Sequence, residues 1–291
     1  SEATFFRQPN HEPNSKFMMR VENQVCWVSG AAQGIGFELC KLLVGLGGKV
    51  AMVDVCDPAR GEKIARQVAD SGPGKTTFIH GDLTTSGVIR DSFEKTKQVF
   101  GAYPTIVVNN AGIVVKDDSP NMKKMMDLNA TAVIEGTNIA ADLLRKDGRK
   151  GCIINTASMA GLTPVPDTPA YAASKWAVVG FTCSMGSMLE THGVRVNCIC
   201  PIIVETPAVG KFFKDEFKNH SNKALQSMAK HVLDPLTVAQ AFMQIIHDDK
   251  LHAQAVGVAL KKTYVHSLDF RRALKQQMDP KVPEYVPRSK I

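Results

Sequence analysis

No stretch of this 291-residue chain stays apolar for the roughly 18 to 20 residues that a membrane-spanning helix needs. The first 24 residues lack the apolar centre of a secretory signal, and Glu2, Pro9, Glu12 and Pro13 break the pattern of a mitochondrial leader. The cytoplasm is therefore the expected compartment, with the mitochondrial matrix less favoured. A disulfide framework is missing too, since the cysteine count is seven, an odd number. Cys26, Cys152, Cys198 and Cys200 lie in apolar runs that read as strands, and Cys40 and Cys183 in helical patterns, so all read as buried free thiols. Cys198 and Cys200 share one strand face without further ligands nearby, and no metal site is expected. Repeats of the solenoid type are also absent.

The net charge of +7 would suit nucleic acid or an anionic membrane. Acidic and basic residues are interspersed, however, and no aromatic–basic pattern of an RNA-binding module occurs, so no nucleic-acid partner is expected. The charge reads instead as a mild attraction for anionic cofactors and substrates. With 44% hydrophobic and 22% charged residues, the composition is that of a globular protein long enough for one large α/β domain with extended ends.

Short apolar runs alternate with helical patterns. Strands are predicted at residues 25–29, 49–54, 76–80, 105–109, 152–157, 194–200 and 253–260. Helices are predicted at 35–47, 58–71, 85–100, 121–145, 169–191 and 235–247, the second opened by Asp57 as N-cap and Pro58 at the first helical position. Strands apolar on both faces and separated by helices predict a doubly wound parallel sheet of Rossmann type, covered on both sides, in a single domain. That catalytic domain is placed at 24–260, after an N-terminal extension at 1–23. Residues 206–231 read as a helical insert within a substrate lid at about 202–234, and 261–291 as a polar irregular tail with Pro280, Pro283 and Pro287.

Directly after the first strand stands Ser29-Gly30-Ala31-Ala32-Gln33-Gly34-Ile35-Gly36. Glycines permit a tight turn and let the backbone approach a pyrophosphate, and the following helix aims its first N–H groups at the phosphates. A structural turn could use the same glycines; the strand–turn–helix setting favours a dinucleotide. Asp54 ends the second strand, 24 residues beyond Gly30. A carboxylate there accepts hydrogen bonds from ribose hydroxyls and repels a 2′-phosphate, and Ala31, Ala32 and Gln33 supply no cation to hold one, so NAD is expected over NADP. The competing reading of Asp54 is an ordinary strand-end cap. Asp82-Leu83 and Asn109-Asn110-Ala111-Gly112 follow the third and fourth strands, at carboxyl ends where open sheets bind ligands; alone they would be turns.

Tyr171-Ala172-Ala173-Ser174-Lys175 places a phenol and an ammonium on one helical face. Moving a hydride to or from a nicotinamide requires a group that exchanges the hydroxyl proton. A phenol of pKa near 10 does this poorly at pH 7 unless a neighbouring cation favours the phenolate. Ser158, 13 residues upstream and just past the fifth strand, can donate to a substrate oxygen. Each of these residues alone would pass for helix surface or turn.

Taken together they resemble the short-chain dehydrogenase/reductase family over roughly residues 22–260. The match consists of Gly30-x-x-x-Gly34-Ile35-Gly36, Asp82, Asn109-Asn110-Ala111-Gly112, Asn129, Ser158 and Tyr171-x-x-x-Lys175. The resemblance implies a seven-stranded Rossmann-like fold, an NAD-dependent alcohol dehydrogenase and a homodimer or homotetramer. By it, Tyr171 is the acid/base, Lys175 lowers its pKa and holds the nicotinamide ribose, Ser158 orients the substrate oxygen and Asn129 holds a water of a proton relay. The implied cofactor contacts are Gly30, Gln33, Gly34, Ile35, Gly36, Asp54, Asp82, Leu83, Asn109, Ala111, Gly112, Tyr171, Lys175, Val204 and Thr206. Two departures stand out: Ser29 replaces the family's threonine and keeps its hydroxyl, and Pro201-Ile202 replaces Pro-Gly, where a β-branched residue is expected to alter the nicotinamide loop.

Within the family, Ala160-Gly161-Leu162-Thr163-Pro164-Val165, Leu233-Asp234-Pro235 and His247-Asp248-Asp249 resemble the NAD-linked 15-hydroxyprostaglandin dehydrogenase group. That group has a substrate-contacting glutamine where Thr168 stands here. The expected substrate contacts are Ser158, Thr168, Tyr171 and Phe212. Phe212, Phe213 and Phe217 with Lys211, Lys214, Lys218, Lys223 and Lys230 suit an apolar pocket with a cationic rim for a lipid-like hydroxy acid; a helix packed on the core with solvated lysines accounts for them equally. Against the oxidoreductase reading stand a non-catalytic homologue acting as a structural subunit and, more remotely, a nucleic-acid binder.

Overall fold

The computed structural model describes residues 19–207, Gly210, 232–259 and 262–266. Seven strands, β1 (Val25–Ser29), β2 (Lys49–Asp54), β3 (Lys75–His80), β4 (Ile106–Asn109), β5 (Gly151–Thr156), β6 (Val194–Pro201) and β7 (Ala255–Ala259), pair in parallel, and β8 (Lys262–His266) joins β7 antiparallel. Their order is β3-β2-β1-β4-β5-β6-β7-β8, so the direction of winding reverses between β1 and β4. This is the doubly wound sheet that the alternating runs predict. Every residue of β1, β5 and β6 is buried, which explains why those runs show no polar alternation.

One face is covered by α1 (Gly34–Gly45) and α8 (Pro235–His247), whose Leu39, Leu43, Phe242 and Ile246 close on Val28, Met52 and Ile154. On the other face α3 (Val88–Phe100) and α5 (Ala132–Lys146) bring Ile89, Phe93 and Leu144 against Trp27, Ile153 and Val196. Trp27 satisfies its indole N–H on Ser92 Oγ at 3.0 Å and stacks tilted on Phe93 at 4.8 Å between centroids. α6 (Pro169–Cys183) adds Val178 and Val179 over Cys198 and Cys200. α2 (Pro58–Ala69) starts as predicted, with Asp57 accepting from Arg60 N at 3.0 Å and Pro58 in its first turn. Among the described residues no helix is long and apolar enough to cross a membrane.

Three expectations are corrected. The helix predicted at 121–145 is α4 (Met122–Met126), a π-type turn at Asp127–Thr131 and α5, because one wide turn inserts at Asn129. The helix predicted at 169–191 ends at Cys183, and α7 (Met188–His192) restarts after Met185-Gly186. The segment read as an irregular tail contains β8. Thr263, Tyr264 and Val265 are strand formers, and an edge strand needs only one hydrogen-bonded side. The predicted insert at 206–231 lies almost wholly outside the described residues.

Arg195 is the one charge inside β6, 6% exposed. Its guanidinium donates to the carbonyls of Ile245, Ile246, Asp248 and Leu251 at 2.8–3.2 Å, satisfying the last turn of α8 where a cation also complements the helix dipole. Arg195→Ala strands those carbonyls and should lower the unfolding free energy by about 2–4 kcal/mol in urea titrations. A change under about 1 kcal/mol would contradict this role.

Candidate active site

The turn between β1 and α1 is built by close backbone approach. Gly30 has φ +63°, and a Cβ there would stand 2.8 Å from Ala111 Cα. A Cβ on Gly36 would stand 2.2 Å from the Gly30 carbonyl oxygen, closer than any real contact. Gln33 occupies the N-cap of α1, is exposed and makes no side-chain capping bond, and the first turn of α1 carries no acidic residue. Its free N–H groups are thus available to an anion at the positive end of the helix. Ile35 is partly buried against the α1–α8 core. A cradle that a methyl group would fill, opening on an uncapped helix start, fits the pyrophosphate of a dinucleotide.

Asp54, at the end of β2, accepts from Ala32 N (2.9 Å) through one oxygen and from Cys56 N (3.0 Å) through the other. The carboxylate is thereby locked beside the glycine turn, with lone pairs left for ribose hydroxyls. Asp82, past β3, accepts from Thr84 N at 3.0 Å and pairs with Lys124 Nζ at 2.8 Å. The Lys124 bond holds its pKa down at about 2. Leu83 packs partly buried on the α3–α5 core.

Beyond β4 the chain runs along the cleft. Asn110 is the clamp: its Nδ2 donates to the carbonyls of Ser29 (2.9 Å) and Gly30 (3.2 Å), and Ser29 Oγ accepts from Asn110 N and Ala111 N at 2.9 and 3.0 Å. The hydroxyl retained at Ser29 therefore has a definite task. Asn109, expected among the cofactor contacts, turns its amide into the core. That amide donates to Asn155 Oδ1 (2.8 Å) and Thr137 Oγ1 (3.2 Å), leaving only its backbone at the cleft. The strand's alternation puts neighbours on opposite faces, and Asn110, its neighbour, faces the glycine turn instead.

Gly112 lies against Asn129 and Lys175: a Cβ there would meet Asn129 Oδ1 at 3.1 Å and Lys175 Nζ at 3.6 Å. Asn129 is fully buried in the π-type turn and holds both backbone groups of Ile113, accepting from its N at 2.9 Å and donating to its O at 2.8 Å. Ser158 opens the short turn after β5, where its hydroxyl accepts from Ala160 N at 3.2 Å and stands close enough to the Tyr171 phenol to lower its pKa. Lys175 is buried, with Nζ donating to the Thr156 carbonyl at 2.8 Å and standing 5.8 Å from the centroid of the Tyr171 ring. Ser158, Tyr171, Lys175 and Asn129 thus meet at the carboxyl edge of β4 and β5.

Burial raises the Tyr171 phenol above its usual value, and the neighbouring Ser158 hydroxyl pulls the other way. Burial also pushes Lys175 down to about 8, against a smaller opposing effect of Cys200 and Cys198. Thr156 Oγ1 is the only buried side-chain polar atom without a hydrogen-bond partner among the described residues, and it stands on the strand whose carbonyl receives Lys175. From sequence Asn110 stands only inside the Asn109-Asn110-Ala111-Gly112 motif with no role of its own, and Thr156 has no local signal.

Val204 and Thr206 follow β6. Val204 is buried and its carbonyl accepts from Thr206 N at 2.8 Å, while Thr206 Cγ2 lies 3.0 Å from where a Cβ of Gly34 would be. The loop after β6 is therefore seated on the glycine turn. The departure at Ile202 brings no strained backbone: its φ is not positive, its N–H donates to Val258 O at 3.1 Å, and its side chain packs on the core. Thr168 is buried at the N-cap of α6 and makes no capping bond. Phe212 lies outside the described residues.

A doubly wound sheet with this glycine turn and this Ser–Tyr–Lys set defines a nicotinamide-dependent oxidoreductase. The short chain dehydrogenase family model matches residues 24–216, and the chain belongs to that family. The 15-hydroxyprostaglandin dehydrogenase (NAD+) of Homo sapiens is similar to it, at 36% identity over 265 residues covering 87% of this chain and 96% of its own. Zerumbone synthase of Zingiber zerumbet is 33% identical over 195 residues, 65% of this chain and 71% of its own. A short-chain type dehydrogenase/reductase from Mycobacterium marinum superimposes with TM-score 0.73 at 25% identity, over 83% of this chain and 96% of its own.

Gly36→Ala must open the glycine turn and should weaken NAD binding at least about tenfold by calorimetry; an unchanged Kd would show that the turn is not the pyrophosphate seat. The buried Lys175 gives a second test. Its folded pKa of about 8 lies below the unfolded value near 10.4, so between those values the unfolded chain binds more protons and this group's contribution to stability rises with pH. Relative to Lys175→Met, the wild type should gain stability in chemical denaturation between about pH 8 and about pH 10. No relative gain over that window would mean that the ammonium is not buried.

Proposed function

We propose that the chain oxidises a secondary alcohol of a lipid-like hydroxy acid to the ketone with NAD, and catalyses the reverse reduction. The observation that carries this reading is the meeting of Ser158, Tyr171 and Lys175 beside the glycine turn and Asp54. Bound NAD would be held by the turn residues 30–36, by Asp54 at the adenosine ribose and by Lys175 and Thr206 toward the nicotinamide; it supplies the hydride acceptor. Asp54 disfavours a 2′-phosphate, as no arginine or lysine stands in the turn.

Ser158 donates to and orients the substrate oxygen. The Tyr171 phenolate accepts the hydroxyl proton at Oη as the carbinol hydrogen leaves as hydride, and the phenol so formed returns the proton in the reverse direction. Lys175 supplies positive charge that favours the phenolate as it forms, and Asn129 fixes the floor through Ile113. Because the phenol starts above its ordinary pKa, alcohol oxidation is favoured toward alkaline pH and ketone reduction toward lower pH.

Support for a hydroxy-acid substrate comes from the likeness to 15-hydroxyprostaglandin dehydrogenase, the net charge of +7 and the phenylalanine–lysine composition of residues 211–230. Thr168 in place of that group's glutamine argues for a different hydroxyl-binding geometry. All seven cysteines are free, which suits the reducing cytoplasm, and the family resemblance is the support for a homodimer or homotetramer.

The test follows absorbance of reduced cofactor with a panel of long-chain hydroxy acids and neutral secondary alcohols. NAD should be used in preference to NADP, hydroxy acids in preference to neutral alcohols, and Tyr171→Phe should lower kcat at least about 100-fold. Equal rates for wild type and Tyr171→Phe would remove the catalytic assignment, and preference for NADP would overturn the role of Asp54.

A further inference from the structure

The helix that carries Tyr171 starts without a cap of its own. Thr168 stands at its N-cap with no side-chain hydrogen bond, and Pro169 at the first position has no N–H. Ala170 N is therefore the first donor needing an acceptor from outside the helix. Asp117 supplies it from 53 residues away, with Oδ1 and Oδ2 at 3.2 and 3.1 Å from that nitrogen. Tyr171 is the next residue along, still within the first turn.

Asp117 belongs to the segment after β4, which is fixed at two earlier points. Asn110 binds it to the glycine turn, and Ile113 is held through both backbone groups by Asn129. Within eight residues, 110–117, the segment touches the cofactor turn, the buried asparagine and the start of the catalytic helix. A segment so tethered keeps the first turn of α6 in register with the floor of the cleft.

We propose that Asp117 is a positioning residue for Tyr171, an N-cap supplied in trans that holds the phenol at the angle Ser158 and the substrate require. The proposal rests on the reading of Tyr171 as the acid/base. A first turn lacking its acceptor frays, and misplacing a reacting group lowers turnover without altering a remote binding site. An aspartate also brings negative charge to the positive end of the helix, whereas asparagine keeps an acceptor oxygen without the charge.

The experiment compares Asp117→Ala and Asp117→Asn in the full chain by kcat, KM, NAD affinity and hydrogen exchange of the α6 amides at 170–175. Asp117→Ala should lower kcat about tenfold with NAD affinity unchanged within about twofold, and speed exchange at those amides. Asp117→Asn should recover kcat to within about threefold of wild type and restore the slow exchange. Wild-type kcat in Asp117→Ala overturns the proposal, whatever the exchange. Equal impairment of both variants also overturns it, because charge rather than the capping bond would then be responsible. If wild type turns over no alcohol, the functional reading fails separately, and unchanged exchange in Asp117→Ala would still overturn the tether.

Discussion

Ser29 Oγ accepts hydrogen bonds from the backbone N–H groups of Asn110 and Ala111 and so bridges the carboxyl ends of β1 and β4. These are the two strands between which the winding of the sheet reverses, and the reversal opens a crevice there. Without a bridge the two loops could drift apart. With it, the Gly30 turn is pressed onto Ala111 so closely that only glycine fits, and Asn110 adds two more bonds to the same turn. The loop after β4 then passes to Asn129 and Asp117, and the loop after β6 settles on Gly34 through Thr206. The cleft is a set of loops fixed to one another at a single break in a rigid sheet.

The same edge contains the molecule's least comfortable polar groups. Lys175 is a buried ammonium whose described acceptor is one carbonyl, and Thr156 has a buried hydroxyl with no partner among the described residues. Elsewhere among the described residues buried side-chain polar groups are satisfied: Asn109, Thr137, Asn155 and Thr182 form a closed chain behind the same strands, and Arg195 spends its guanidinium on four carbonyls. Incomplete satisfaction confined to the functional edge is what a site that prefers function over stability looks like.

Much of this was legible in the sequence because it rests on local demands. A turn that tolerates only glycine, a carboxylate ending β2, and a Tyr–Lys pair one helical turn apart are all visible in a single chain. Other features depend on partners far away. The Asp117–Ala170 bond spans 53 residues and Asp82–Lys124 spans 42, so neither has a local pattern. The π-type turn at Asn129 adds one residue to a helix whose apolar period hides it. Asn109 and Asn110 differ only in which face the backbone presents, a matter of strand phase at its very end. β8 was hidden by the polar composition around it, since an antiparallel edge strand needs no continuous apolar run.

The central claim is that a chain with this cleft passes a carbinol hydrogen to NAD while Tyr171 takes the hydroxyl proton. The most direct measurement uses a long-chain hydroxy acid carrying deuterium at its carbinol carbon, with mass analysis of the reduced dinucleotide. The account predicts that one deuterium per turnover is recovered in the dinucleotide, on a single face of its ring, and that Tyr171→Phe abolishes the transfer. Ketone formation with no label in the dinucleotide, or transfer that proceeds undiminished without the Tyr171 hydroxyl, would contradict it.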